Sequence, residues 1–371
     1  MTDEELRNVG EILDRLLTVP VYTGASLTRK PVLLELYQAA RDKFKDPLLY
    51  LAVKEITRRV KKGDTILITT GFIIPPWFRP EHDGPAGAAT LARALNLALD
   101  VTPVILCERA LQERIGALCE ACGFEVADYE EARLFPRRIA IRELPVADEV
   151  AKEQAKIILD EMKPSLIIAI EKASPNEKGI YHTGVGYDVT GIEGKIQYLF
   201  EEARRRGIFT IGIGDGGNEV GMGCIKKTIK KVLPSGLKCG CPCGSGTHSD
   251  IATDLLIVAM VSNWGAYAIE ALLAVARGKP EILHDRPLEE RVFEAAISAG
   301  LIDPAAGFSM DSGDAIDKSV HVAIVDILTF MVKAKIGDSF YMEKYKEYAA
   351  LDRDKVQENI EKWTEKIRRE S

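Results

Sequence analysis

Apolar residues along the chain fall into two alternating patterns. Short β-branched runs stand at 64–70 (DTILITT), 102–108 (TPVILCE), 137–144 (RRIAIREL), 165–170 (SLIIAI), 208–213 (IFTIGI) and 254–261 (DLLIVAMV). Between and around them apolar positions recur at helical spacing, which predicts helices at about 3–17, 32–44, 47–60, 86–99, 109–121, 148–162, 192–206, 263–277, 287–299, 318–335 and 354–369. Several runs are apolar without alternation, as in strands buried on both faces. Their alternation with helices predicts a three-layer α/β/α fold around a mainly parallel sheet. In such folds ligands bind at the carboxyl ends of the strands. The reading is one large α/β domain over 1–371, with two lobes, about 1–147 and 148–340, as a weaker division where "ELPVADEV" leads into a helix. A Lys-, Gly- and Cys-rich insertion near 223–250 interrupts the alternation, and the charged amphipathic helix 354–369 suits a surface or a homo-oligomer contact.

Composition narrows the function classes. The 371 residues are 46% hydrophobic and 28% charged with net charge −7, so a nucleic-acid footprint or polybasic membrane patch is not expected. No apolar run approaches the roughly 18 residues needed to span a bilayer. The polar N-terminus "MTDEELRNVGEILDRLL" has no signal-peptide apolar core, so a cytoplasmic protein is expected. Abundant Glu, Lys and Arg give a thermophile-like balance. Seven cysteines in such a chain do not imply a disulfide framework. Cys239, Cys241 and Cys243, with His248 nearby, are spaced more tightly than the C-x-x-C pairs of structural zinc, so they read as a Gly/Pro-rich loop with thiols, zinc being the alternative. Cys119 and Cys122 read as structural residues at a helix C-terminus.

The densest chemical signal is "GIGDGGNEVGMG", 212–223. Gly212, Gly214 and Gly217 satisfy G-x-G-x-x-G, but a dinucleotide site wants an acid about 20 residues further on to meet the ribose. No Asp or Glu follows Glu219 until Asp250, and Asp215 between the glycines would repel a pyrophosphate. Carboxylates without sulfur or imidazole favour a hard cation, Mg²⁺, Mn²⁺ or Ca²⁺; helix capping by Asp215 and Glu219 is the rival reading. Other acids fall at neighbouring strand ends. Asp83 follows strand 64–70, Glu171 and Lys172 follow strand 165–170, and Asp188 precedes a helix. Asp254 borders its strand and reaches the same edge only if that strand is antiparallel. Asp83 and Asp188 also read as cap or turn residues, and Glu171 as a partner of Lys172. Glu81 and Glu177 sit in loops and are second-tier, whereas His82 and His182 lie beside the acids and read as proton donors or supporting partners, a structural role being the alternative.

Taken together, "GIGDGGNEVGMG", "VSNWGAYAIEALL" (261–273), "TTGFIIPP", "DGPAGAATLARAL" (83–95) and "IEKA…YDVTG" resemble the D-glutamate cyclase C-terminal-domain family, over roughly 20–330. The resemblance implies dehydrating cyclisation of D-glutamate to 5-oxo-D-proline. In eukaryotic members the domain follows a separate N-terminal domain, a partner this sequence is expected to lack. The residues themselves point to a different reaction. Five or six carboxylates can hold more than one divalent metal, as in-line phosphoryl displacement requires. The expectation from the residues is therefore a Mn²⁺- or Mg²⁺-dependent phosphatase of small phosphorylated molecules. Asp83, Glu171, Asp188, Asp215, Glu219 and Asp254 would be metal ligands, Lys172 would neutralise phosphate, and Asn218 and Asn263 would orient water or substrate. D-glutamate cyclase and a non-catalytic metal- or metabolite-binding protein are the alternatives.

Overall fold

The structure, a computed structural model, describes residues 1–19, 32–337 and 340–370. The first residues of the family resemblance, 20–31, lie outside them. Seven strands form one parallel sheet: β1 (Thr65–Gly71), β2 (Thr102–Cys107), β3 (Glu125–Ala127), β4 (Arg138–Glu143), β5 (Leu166–Lys172), β6 (Phe209–Gly214) and β7 (Leu255–Val258), in the order β3-β4-β2-β1-β5-β6-β7. The chain starts near the middle of the sheet at β1, builds one side to β3 and returns to build the other. Adjacent strands β1 and β5 come from either side of residue 147, so the sheet is continuous across that position.

Side-chain alternation along the strands divides the core in two. Ile66, Ile68, Ile168, Ile170, Ile211 and Ile213 face a layer that includes the helices Asp3–Leu17, Val32–Phe44, Leu48–Arg59, Pro85–Leu99 and Ser262–Arg277. Leu67, Val104, Leu106, Ile167 and Ala169 face the helices Asp148–Met162 and Ile196–Arg206. The result is the expected three-layer α/β/α arrangement, with strands apolar on both faces because both are covered.

Sequence periodicity does not mark the edge strand β3, which is short and carries exposed Glu125 and Val126. It also misses the short helices Tyr129–Leu134 and Lys226–Val232 and the helix Phe340–Ala349. The expected strand 254–261 stops at Val258, because the chain turns into a helix at Ser262. In the insertion near 223–250, two short helices are followed by an irregular loop. The helix Arg353–Glu370 extends the expected 354–369 by one residue at each end. Among the described residues no helix is long and apolar enough to cross a membrane.

Between the helices Ser262–Arg277 and Arg286–Ser298, His284 is wholly buried, with Nδ1 2.8 Å from Glu270 and Nε2 3.2 Å from Glu289. Burial opposes its charge, but Glu270 and then Glu289 outweigh it and raise its pKa from 6.5 to about 10. The folded chain therefore keeps a proton that the unfolded chain releases. This contribution to stability is complete below about pH 6.5 and is lost as the pH rises toward 10. Urea unfolding of wild type and His284→Gln across this range is expected to give profiles that diverge at low pH and converge at high pH. The wild-type excess slope should approach about 1.4 kcal/mol per pH unit. Parallel profiles would mean that His284 is neutral in the fold.

Candidate active site

The chain leaves β1 at Gly71, where its register against β5 shifts, and returns through Glu81, His82 and Asp83 to the start of helix Pro85–Leu99. Asp83 does not cap that helix. Its Oδ2 accepts the Ser262 N–H at 2.9 Å and its Oδ1 the Asn263 N–H at 2.7 Å, so it caps the helix Ser262–Arg277 from across the site. Asn263 reciprocates: its Oδ1 accepts the Gly84 and Gly87 N–H groups, at 2.9 and 2.7 Å, at the head of helix Pro85–Leu99. Two helix N-termini are thereby fixed at the carboxyl edge of the sheet. Gly84 is required there: it sits at φ +91°, and a Cβ would lie 2.6 Å from Thr70 Oγ1 and 2.8 Å from Glu171 Cβ.

The glycine loop occupies the neighbouring edge. It folds back on β6 so closely that a Cβ on Gly212 would meet the Val220 carbonyl oxygen at 2.4 Å. Glu219 closes the turn, its two carboxylate oxygens accepting the Gly216 N–H at 2.6 Å and the Gly217 N–H at 2.7 Å. This packing brings two overlapping acid groups together, Asp83 with Asp215 and Asp314, and Glu171 with Asp215 and Glu219. In each, one oxygen from every residue lies within 4.8 Å of the others. Asp215 and Asp314 keep partial exposure, whereas Asp83, Glu171 and Glu219 are buried.

The electrostatics of this site run one way. Burial raises the Glu171 pKa well above the ordinary range, and Asp215, Glu219, Asp83 and Glu81 raise it further. Asp215 and Asp314 are raised well above theirs by burial and then by the neighbouring acids. Neutrality must come from protons or from a cation. The donor set fits a hard divalent ion: it offers only oxygens, and Asp314 Oδ2 is buried without a hydrogen-bond partner.

Other expected site residues lie elsewhere. Lys172 follows Glu171 but turns to the opposite face of β5, where its fully buried ammonium donates to Glu108 at 2.5 Å, Glu193 at 2.9 Å and the Gly71 carbonyl at 2.8 Å. Burial opposes that charge, yet Glu108 and Glu193 hold the ammonium well above its usual range. Asn218 is committed to a structural bond, donating to the His182 carbonyl at 3.0 Å. Asn263 serves as the cap described above. Asp188 is exposed and bonds the Thr190 N–H in a local turn. Asp254 lies at the start of β7, which is parallel to β6, so it stands at the opposite edge of the sheet and accepts from Thr210. Neither joins the cluster.

Asp314 takes its place in the cluster, and sequence reasoning missed it. It sits at φ +52° in a loop held by Asp303, whose Oδ2 accepts Ser312 Oγ–H and the Ala315 N–H at 2.5 and 3.0 Å. The available signal was "DSGDAID", an acid-rich stretch with no apolar run beside it, which folds as the two-residue turn between the short antiparallel strands Ser312–Gly313 and Ile316–Asp317. Glu81 is also buried and, through burial and then Asp83, Glu219, Glu193 and Asp303, is raised well above its ordinary range.

A family model described as "D-glutamate cyclase-like, C-terminal" matches residues 39–329, which include every acid of the cluster. The chain is also 30% identical over 222 residues to the human protein "D-glutamate cyclase, mitochondrial", a match covering 57% of this chain and 33% of that protein. The chain thus spans about a third of the length of the curated relative it matches.

Two outcomes test this geometry. A cation that binds only the folded state stabilises it by RT ln(1 + [L]/Kd), about 2.7 kcal/mol at a hundredfold excess over Kd. Millimolar Mn²⁺ or Mg²⁺ is therefore expected to raise the melting temperature of wild type reversibly on chelation, with little effect on Asp215→Asn or Asp314→Asn. An equal rise in all three proteins would place the ion elsewhere. Removing the buried cation by Lys172→Met leaves Glu108 and Glu193 unpaired and should cost about 3–5 kcal/mol in urea unfolding. A loss below about 1 kcal/mol would show that the ion triad is not held in the interior.

Proposed function

The chain belongs to the D-glutamate cyclase-like C-terminal family, and from that premise we propose that it catalyses an intramolecular dehydration of the D-glutamate cyclase type. The substrate would be an amino acid whose side-chain carboxyl lies within ring-closing reach of its own amine. The observation that carries the reading is the packing of Asp83, Glu171, Asp215, Glu219 and Asp314 at the carboxyl edge of the sheet, inside the segment matched by the family. The phosphatase reading rested on the number of acids, and neither the family description nor the relative's name supports it.

Lactam formation makes one N–C bond, breaks one C–O bond and expels water. Starting from the zwitterion, two protons leave the nitrogen and two reach the departing oxygen. A site for this step needs groups that both take and give protons near neutral pH, which is what buried, mutually repelling carboxyls provide. Asp83, Asp215 and Asp314 would hold a divalent cation, which when bound polarises the carboxyl under attack. Glu171, raised in pKa and receiving the Ser262 hydroxyl at 2.6 Å on Oε2, would hold a proton for the leaving oxygen. Glu219, fixed by two loop N–H groups, lies beside it as the second carboxylate.

Incubation of the full chain with D-glutamate and Mn²⁺ or Mg²⁺ is expected to yield 5-oxo-D-proline, resolved by chiral chromatography. Glu171→Gln should lower turnover by about 10²-fold or more, as expected for loss of a general acid, with folding retained by circular dichroism. Release of phosphate from monoesters, with no lactam from D-glutamate under any cation, would overturn the proposal in favour of the phosphatase reading.

A further inference from the structure

The loop that follows the glycine-rich segment holds a second donor cluster, chemically unlike the first. Cys239, Cys241 and Cys243 gather on one turn, with Cys239 Sγ 3.3 Å from Cys241 Sγ and 3.2 Å from Cys243 Sγ. The fourth member is His182, whose Nε2 lies 3.2 Å from Cys241 Sγ and 3.8 Å from Cys243 Sγ although it is 59 residues from Cys241 in sequence. All four donor atoms lie within 4.8 Å of one another. His248, nearer in sequence, is committed elsewhere: its Nδ1 is 2.8 Å from the Gly236 carbonyl and its Nε2 faces Glu177 at 3.6 Å.

We propose that Cys239, Cys241, Cys243 and His182 Nε2 form a closed, four-coordinate structural site for Zn²⁺. Three thiolates and one imidazole are a recurrent zinc set, whereas the hard cations suited to the carboxylate cluster prefer oxygen. Binding would exchange three thiol protons for one ion, leaving the site with one net negative charge. N–H donors already point at the sulfurs that would carry it. Cys243 N–H lies 3.4 Å from Cys241 Sγ, Ser245 N–H 3.4 Å from Cys243 Sγ, and Asn176 Nδ2 3.7 Å from Cys243 Sγ. Such donors orient thiolate ligands and offset their charge. Zn–S bonds of about 2.3 Å put tetrahedral sulfurs about 3.8 Å apart, so the present spacing needs only a small outward adjustment. The rival product is a disulfide, but Cys239 is almost equidistant from two thiols, and all three are free.

With four protein donors the site leaves no open position, so its role is to join two segments. These segments form the outer wall of the glycine loop. Asn218 donates to the His182 carbonyl, Ser174 N–H to the Asn218 carbonyl at 3.0 Å, and Ser249 N–H to the Gly217 carbonyl at 2.9 Å. An ion bridging His182 to the cysteine turn therefore braces the loop that carries Asp215 and Glu219.

The test is metal analysis of the full chain purified from zinc-supplemented cells without chelator. About one zinc per chain is expected, released in step with thiol modification by a mercurial reagent. Cys241→Ser and His182→Ala should each lower zinc content about tenfold, whereas Asp215→Asn should leave it unchanged. Should the variants fail to fold, Co²⁺ exchange into wild type decides independently: intense visible d–d bands and near-ultraviolet sulfur-to-cobalt charge transfer are expected. The proposal is overturned by folded, zinc-free wild type whose three thiols react freely. Unchanged zinc in both Cys241→Ser and His182→Ala, or a disulfide among these cysteines in anaerobically prepared protein, would overturn it equally.

Discussion

Asp83 and Asn263 exchange caps across the top of the sheet, and the site is arranged around that exchange. Each side chain satisfies backbone N–H groups at the start of the other's helix, so neither helix can move without leaving buried donors unpaired. The helices Pro85–Leu99 and Ser262–Arg277 are both almost wholly buried, and their N-termini meet over β1 and β5. Their dipoles place partial positive charge where the acids collect. Asp83 therefore has two tasks on one carboxylate, holding a helix and facing the cluster.

The cluster is a local conflict that the rest of the fold must sustain. Packing Glu81, Glu171, Asp215 and Asp314 together raises the pKa of every one of them, which disfavours the charged folded state. A structural acid group would have been given a base, as Lys172 is given Glu108 and Glu193 one residue away on the other face of β5. The contrast within one strand separates the two roles. Glu171 sits at φ +42° among like charges, whereas Lys172 is neutralised and sealed in the interior. Strain and unbalanced charge concentrated at one edge, held at a cost in stability, are what the proposed active site rests on.

Much of this was legible in the sequence, for identifiable reasons. Short continuous apolar runs located six of the seven strands of the sheet, because a sheet covered on both faces leaves no polar alternation. Acids just beyond those runs pointed to Asp83, Glu171, Asp215 and Glu219. Consecutive strand residues face opposite sides, which argues against Lys172 sharing the site with Glu171, and the irregularity at Glu171 decides which of the two faces the helix Ser262–Arg277. Asp254 precedes its strand, so in a parallel sheet it must lie at the far edge. Asp188, two residues before Thr190, has the spacing of a side chain that bonds its own turn. Asp314 and the pairing of His182 with the cysteines were not legible, because each depends on loops whose course no local pattern dictates.

The glycine loop links these levels. Its glycines are required where backbone approaches backbone, as Gly212 does under Val220, and the resulting tight turn leaves Glu219 to satisfy the loop's own N–H groups. That economy leaves the loop few side chains with which to brace its outer side. Bracing comes instead from the segments around His182 and Ser249, through Asn218 and Gly217. Oxygen donors collect on the inner side of the loop and sulfur donors beyond its outer wall. Because hard and soft cations partition between such sets, an ion taken up by the sulfurs would not compete for the acids. Under the two proposals, a braced wall on one side of this loop and an ion-exchanging acid cluster on the other divide the labour between them.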